Sequence, residues 1–245
     1  MNTSALCPLR SSHRLARSLA ALFAAAAPAS AAIYTWEGAS SNLWTVAANW
    51  STALPATLND DEVVFPPDGA NKAMNNNYAS VLRVHRLTFS GSGYSLSGTE
   101  LNFGSALGIP ELRVTHTSGT TSLNSPLSLN ESAIFSTVAG GTLSSSFLAT
   151  VALGSSTLTL DSDGSMSLLG EISGNGGVTL TGSGVVTYGG THSYSGGTAL
   201  NAGRLNISTG ANVSASTITV APGAILSGTG TLTAVSSSGT LSPGN

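Results

Sequence analysis

Charge is scarce in this sequence: 8 % of its 245 residues are Asp, Glu, Lys or Arg, against roughly 25 % in ordinary soluble domains. Cysteine is scarcer still, with Cys7 the only one. An intrachain disulfide is therefore excluded, and stability must come from burial and backbone hydrogen bonds. No stretch after the amino-terminal region approaches the roughly 18 consecutive apolar residues of a membrane helix, and no helical periodicity follows that region. The motifs of common chemistry are missing too. His85, His116 and His192 are scattered without the spacing of zinc ligands, and neither a G-x-S-x-G elbow nor a G-x-G-x-x-G phosphate loop is present.

Residues 1–31 read as a cleavable export signal. Arg10, Arg14 and Arg17 form a basic start, Leu19 to Ala27 an apolar stretch too short to span a bilayer, and Ala29-Ser30-Ala31 a small-residue cleavage site. Removing them takes away Cys7 and three of the eight basic residues, leaving 5 Lys/Arg against 11 Asp/Glu. Such a chain lacks the cations that nucleic-acid phosphates demand. Disorder is also disfavoured, because disordered segments combine low hydrophobicity with high net charge.

What is abundant is a small unit: two apolar side chains one residue apart, then a glycine turn. Residues 174–207 repeat it most clearly. Val178 and Leu180 precede Gly182; Val186 and Tyr188 precede Gly189 and Gly190; Leu205 and Ile207 follow Gly203. Upstream, the pairs Leu87/Phe89, Leu101/Phe103, Leu112/Val114, Leu127/Leu129, Leu158/Leu160 and Met166/Leu168 have the same spacing. Period-two alternation predicts half-buried strands, and the glycines predict corners. Strands this short, with no room for crossover helices, pair by winding so that each lies about 4.8 Å from its equivalent one coil away. At roughly 20 residues per coil, residues 70–245 make about eight or nine coils. The rival is an antiparallel β-sandwich, which favours longer strands and fewer glycine pairs.

The run GSGVVTY followed by HSYSGGTALNAGRLNI resembles the autotransporter-associated β-strand repeat. Tyr194, Gly196, Gly197, Thr198, Asn201, Ala202, Gly203 and Leu205 fall on its pattern, and APGAILSGTGTL and the closing LSPGN are similar to its continuation. The resemblance implies an all-β, right-handed parallel β-helix (β-solenoid) on a secreted or surface-displayed bacterial protein. The closing turn, Gly239 to Asn245, predicts an unfinished, uncovered carboxy-terminal coil prone to end-to-end self-association.

Residues 32–69 differ from the rest. Trp36, Trp44 and Trp50 lie together, ahead of Asp60-Asp61-Glu62 and the apolar Val63-Val64-Phe65. They predict an aromatic cap over the first coil; the alternative is a platform for sugar rings. Asp161-Ser162-Asp163-Gly164 reads as a turn rather than a metal loop, because the later ligands are missing. His192, beside Gly189-Gly190, reads as a solvated turn residue.

The expectation is a non-enzymatic secreted or cell-surface stalk, with no catalytic, cofactor-binding or metal-ligating residue assigned and with extracellular polysaccharide or a cell surface as partner. The alternative is a β-helix polysaccharide-acting enzyme or carbohydrate-binding module. Its acids would have to come from Glu100, Glu111, Glu131, Asp161, Asp163 and Glu171, since Arg204 is the only formal charge beyond Glu171.

Overall fold

The computed structural model of the chain describes residues 31–55, 57, 58 and 60–244. The export signal assigned to residues 1–31 thus lies outside the described residues, apart from Ala31. The described chain is a parallel β-solenoid with three faces. The first carries ten strands: Ile33–Thr35, Glu62–Phe65, Arg86–Phe89, Glu111–Val114, Ala133–Thr137, Leu158–Ser162, Val178–Thr181, Thr198–Leu200, Asn212–Val220 and Thr231–Ser237. The second carries nine, running from Ala73–Asn76 to Thr240–Pro243, and the third five, from Leu82–Val84 to Ile172–Ser173. Every ladder between these strands is parallel, so the sandwich alternative is excluded.

The period-two pattern is what sets the register. On the first face Val63, Leu87, Leu112, Phe135, Leu160, Leu180, Leu200 and Val220 stand one above another, all buried. Each such side chain stabilises by roughly 1.5–3 kcal/mol when fully removed from water. A one-residue slip would turn the whole stack outward.

Coil length is not constant. Glu62 pairs with Arg86, 24 residues on; Leu158 pairs with Val178, 20 on; Ile225 pairs with Thr240, 15 on. The long amino-terminal coils carry the third face, whose last strand is Ile172–Ser173.

The segment 32–69 supplies both a cap and the first two rungs of the first face. Its tryptophans are buried, packed edge to face with ring centroids 4.9 Å apart for Trp36–Trp50 and 5.5 Å for Trp44–Trp50. Asn49 closes the loop between them: its Oδ1 accepts from the N–H groups of Ser40 and Ser41, and its Nδ2 donates to Ser41 Oγ and the Leu43 carbonyl. The only helical turn among the described residues, the 3-10 segment Ala47–Asn49, precedes Trp50.

At the other end the closing turn differs from expectation. Residues Thr240–Pro243 form a strand paired with Ile225–Gly228. Its Leu241 is 52 % exposed, and Val235 on the first face is 40 % exposed, although both occupy ranks whose earlier members, Leu226 and Ile218, are buried.

Candidate functional site

The sugar-platform reading of Trp36, Trp44 and Trp50 is overturned by their burial: none is more than 4 % exposed, so no ring face is free to stack on a sugar. They act as the cap because the first coil needs its open core covered.

The carboxylates are spread along the solenoid. Glu111 and Asp161 are both on the outer side of the first face. Their registers place them two coils and two residues apart, since Arg113 aligns with Ser136 and Ser136 with Asp161. That separates their backbones by about 12 Å at the spacings of a β-sheet. Glu100 and Glu171 precede strands of the third face that lie three coils apart, about 14 Å.

Most of these acids bind the next coil. Thr181 Oγ1 donates to Asp161 Oδ1 at 2.8 Å, and Ser183 donates both N–H and Oγ–H to Asp163 Oδ1. The Ser183 N–H, followed by its hydroxyl, holds the Asp163 carboxyl below the usual range. Glu171 accepts from Ser193 Oγ, and Glu100 from Ser128 Oγ. Among the described residues no three His, Cys, Asp or Glu gather as metal ligands.

Two arginines each bridge two acids. Arg86 joins Glu62 (3.4 Å) to Glu111 (2.7 Å), and Arg113 also reaches Glu111 at 2.8 Å. Arg83 Nη2 lies 3.9 Å from Asp60 Oδ1 and 3.8 Å from Glu131 Oε1. Asp60 was missed from sequence because Asp60-Asp61-Glu62 reads as one acidic step. In the fold Asp60 turns aside with φ +60°, the only positive φ outside glycine among the described residues. Its carboxyl is lowered chiefly by the Ser105 hydroxyl, with the Ala106 N–H assisting.

The histidines do not converge. His116 Nε2 lies 3.0 Å from Thr121 Oγ1, and burial lowers its pKa. His85, also buried, lies near Asp60. His192 is the clearest correction: it is no solvated turn residue but 1 % exposed. Its ring centroid lies 4.5 Å from that of Tyr188, and its Nδ1 accepts the Ile172 N–H. Burial depresses its pKa to about 4, against a smaller opposing effect of the Gly189 backbone and Glu171. Beside it, Tyr194 Oη, Thr198 Oγ1 and Ser216 Oγ form a buried chain, with Thr198 and Ser216 3.0 Å apart. A neutral imidazole sealed from solvent has no access to a substrate proton.

One concavity has free polar groups. A groove of about 580 Å³ lies where the first face turns into the second, lined by residues 182–185, 201–204 and Pro222, Gly223 and Ile225. Arg204 is in it. No protein-family model matches this chain, and neither a curated protein nor a solved structure matches it.

Proposed function

We propose that the protein is a non-enzymatic, exported β-solenoid that serves as a structural or adhesive element at a bacterial surface, of the autotransporter-associated repeat kind. The observation that carries this reading is the use of the carboxylates. Asp161, Asp163, Glu171 and Glu100 each accept a hydroxyl from the following coil, and Glu111 is held by two arginines. An acid fixed in a coil-to-coil bond strengthens a rod, whereas a general acid or base needs a free path to a reacting proton. The export signal and the repeat resemblance support the extracellular address.

A second reading rests on Asp60 and Glu131. Both lie within 4 Å of one Arg83 nitrogen, so these two oxygens are no more than about 8 Å apart, a bound that overlaps the carboxyl spacings of glycosidases. Product assays separate the two. Incubation with acidic and neutral polysaccharides, with and without calcium, should release neither new reducing ends nor unsaturated products. Turnover abolished by Asp60→Asn or Glu131→Gln would establish the enzyme and overturn the structural role.

A further inference from the structure

The groove around Arg204 differs from the rest of the surface in the state of its charge. The other arginines of the solenoid pair with carboxylates, and the only lysine, Lys72, donates to two carbonyls and lies over the Tyr94 ring. Arg204 is half-buried, and among the described residues its guanidinium has neither an ion pair nor a hydrogen-bond partner. It is a cation with five donors that no other described residue engages. The Asn201 side chain, in the same groove, is also without a partner among the described residues.

From this geometry we infer that the groove is a binding subsite for an acidic glycan, with Arg204 meeting a sugar carboxylate or sulfate. The inference rests on the non-catalytic, surface-presenting reading above and adds the ligand class. Three features of the lining support it. First, Arg204 stands in one outward rank between Val185 and Ile225 on the neighbouring coils, and both apolar residues line the same groove. Such a pairing suits a sugar, which offers both C–H surface and an anion, and the fork geometry suits a carboxylate or sulfate. Second, the glycine corners leave backbone rather than side chains along the floor. Gly184 is forced there because a Cβ would lie 2.1 Å from the Gly164 carbonyl, and Gly203, at φ +66°, would meet the Gly184 carbonyl at 2.6 Å. The Asn201 amide, in the same groove, offers a donor and an acceptor together, as sugar hydroxyls require.

Third, rival polyanions fit poorly. A nucleic acid needs several cations along its phosphates and aromatic faces for its bases; the groove has one cation and no aromatic lining. Asp163 lies near, but its Oδ1 is turned into the N–H and hydroxyl of Ser183. It lowers affinity for an anion without blocking the site. A single charge-assisted contact in an open groove corresponds to affinity in about the millimolar range.

The test is an NMR titration of the whole exported chain with three probes: α-1,4-galacturonate oligomers, a sulfated galactan oligosaccharide and neutral cello-oligosaccharides. Saturable shifts at Ser183, Asn201, Gly203 and the Arg204 Nε–H are expected with one or both acidic probes, which identifies the anion, and not with the neutral one. Arg204→Gln should weaken binding about tenfold without changing the melting temperature, because the side chain has no partner to lose. Asp163→Asn should strengthen it. Equal shifts with the neutral probe, shifts that map away from the groove, undiminished binding by Arg204→Gln, or no shifts at all would each overturn the site. Cleavage of a probe, seen as new end-group signals, would instead count against the non-catalytic reading and leave the binding result standing.

Discussion

Ile172 donates its backbone N–H to Nδ1 of His192 at 3.2 Å. On the same face Leu101, Leu127 and Val151 each donate to a backbone carbonyl of the following coil, so the imidazole replaces a carbonyl in the ladder. It does so just where the third face has its last strand. The ring caps that strand and packs on Tyr188 in the same step.

This contact predicts an acid-sensitive stability. The folded-state pKa of His192 is depressed to about 4, below the roughly 6.5 of an unfolded histidine, so between these values the unfolded chain binds the extra proton. Stability is then complete above about pH 6.5, falls by roughly 3 kcal/mol as the pH drops to about 4, and is flat for this group below that. Urea midpoints across this range should show the fall, and His192→Gln, which keeps an acceptor but cannot titrate, should remove most of it, leaving the part due to His116, whose pKa burial also lowers. The lowered carboxyls of Asp60 and Asp163 act in a separate window, since their contribution is lost only below the ordinary carboxylate pKa. An unchanged profile in His192→Gln would show that the imidazole is not the sensor.

Inward and outward positions should respond oppositely to charge. Leu205 is fully buried in the rank between Val186 and Leu226, so Leu205→Asp should cost several kcal/mol. Thr187, on the outward side of the neighbouring strand, should tolerate Lys at a cost under about 0.5 kcal/mol. Denaturant melts of the two variants check the pair; equal losses would refute the assignment of faces.

The cap depends on Asn49 as much as on the tryptophans. Asn49→Ala removes four hydrogen bonds and should cost roughly 2 kcal/mol. Increased tryptophan fluorescence quenching by iodide should accompany the loss, as Trp44 and Trp50 become accessible. Unaltered quenching with a lower melting temperature would show that the bonds stabilise the loop without holding the cap.

Export is checked at the amino terminus. Sequencing of protein recovered from the exported fraction should begin at Ala32, the residue after the Ala-x-Ala site. Intact Met1 on the exported species would exclude cleavage.

Much of the solenoid was legible because its signal is local. Pairs such as Leu87/Phe89 and Leu205/Ile207 identify strand and inward face at once, and the glycine corners follow from backbone conformation. The coil-to-coil bonds were less visible, since Asp161 with Thr181 and Asp163 with Ser183 are related only through a period of 20 residues. Their signal was present in the repeat length but needed the register. His192 was misread because a histidine beside two glycines has the composition of an exposed turn; its burial depends on the loss of a strand from the third face, a tertiary event. Asp60 was hidden by the acidic residues beside it. Arg204 stood out by its isolation, but only the fold shows its lack of a partner.

The central claim is that equivalent residues climb the solenoid one coil at a time. Val64, Thr88, Arg113, Ser136, Asp161 and Thr181 share one outward rank. Residues 32–245 contain no cysteine, so in that segment nitroxide labels enter only where they are placed. Electron paramagnetic resonance on Val64→Cys/Thr181→Cys and Ser136→Cys/Thr181→Cys measures five coils and two. The parallel winding predicts backbone separations of about 24 Å and about 10 Å, in proportion to coil number. Separations that do not scale with the number of coils would contradict it.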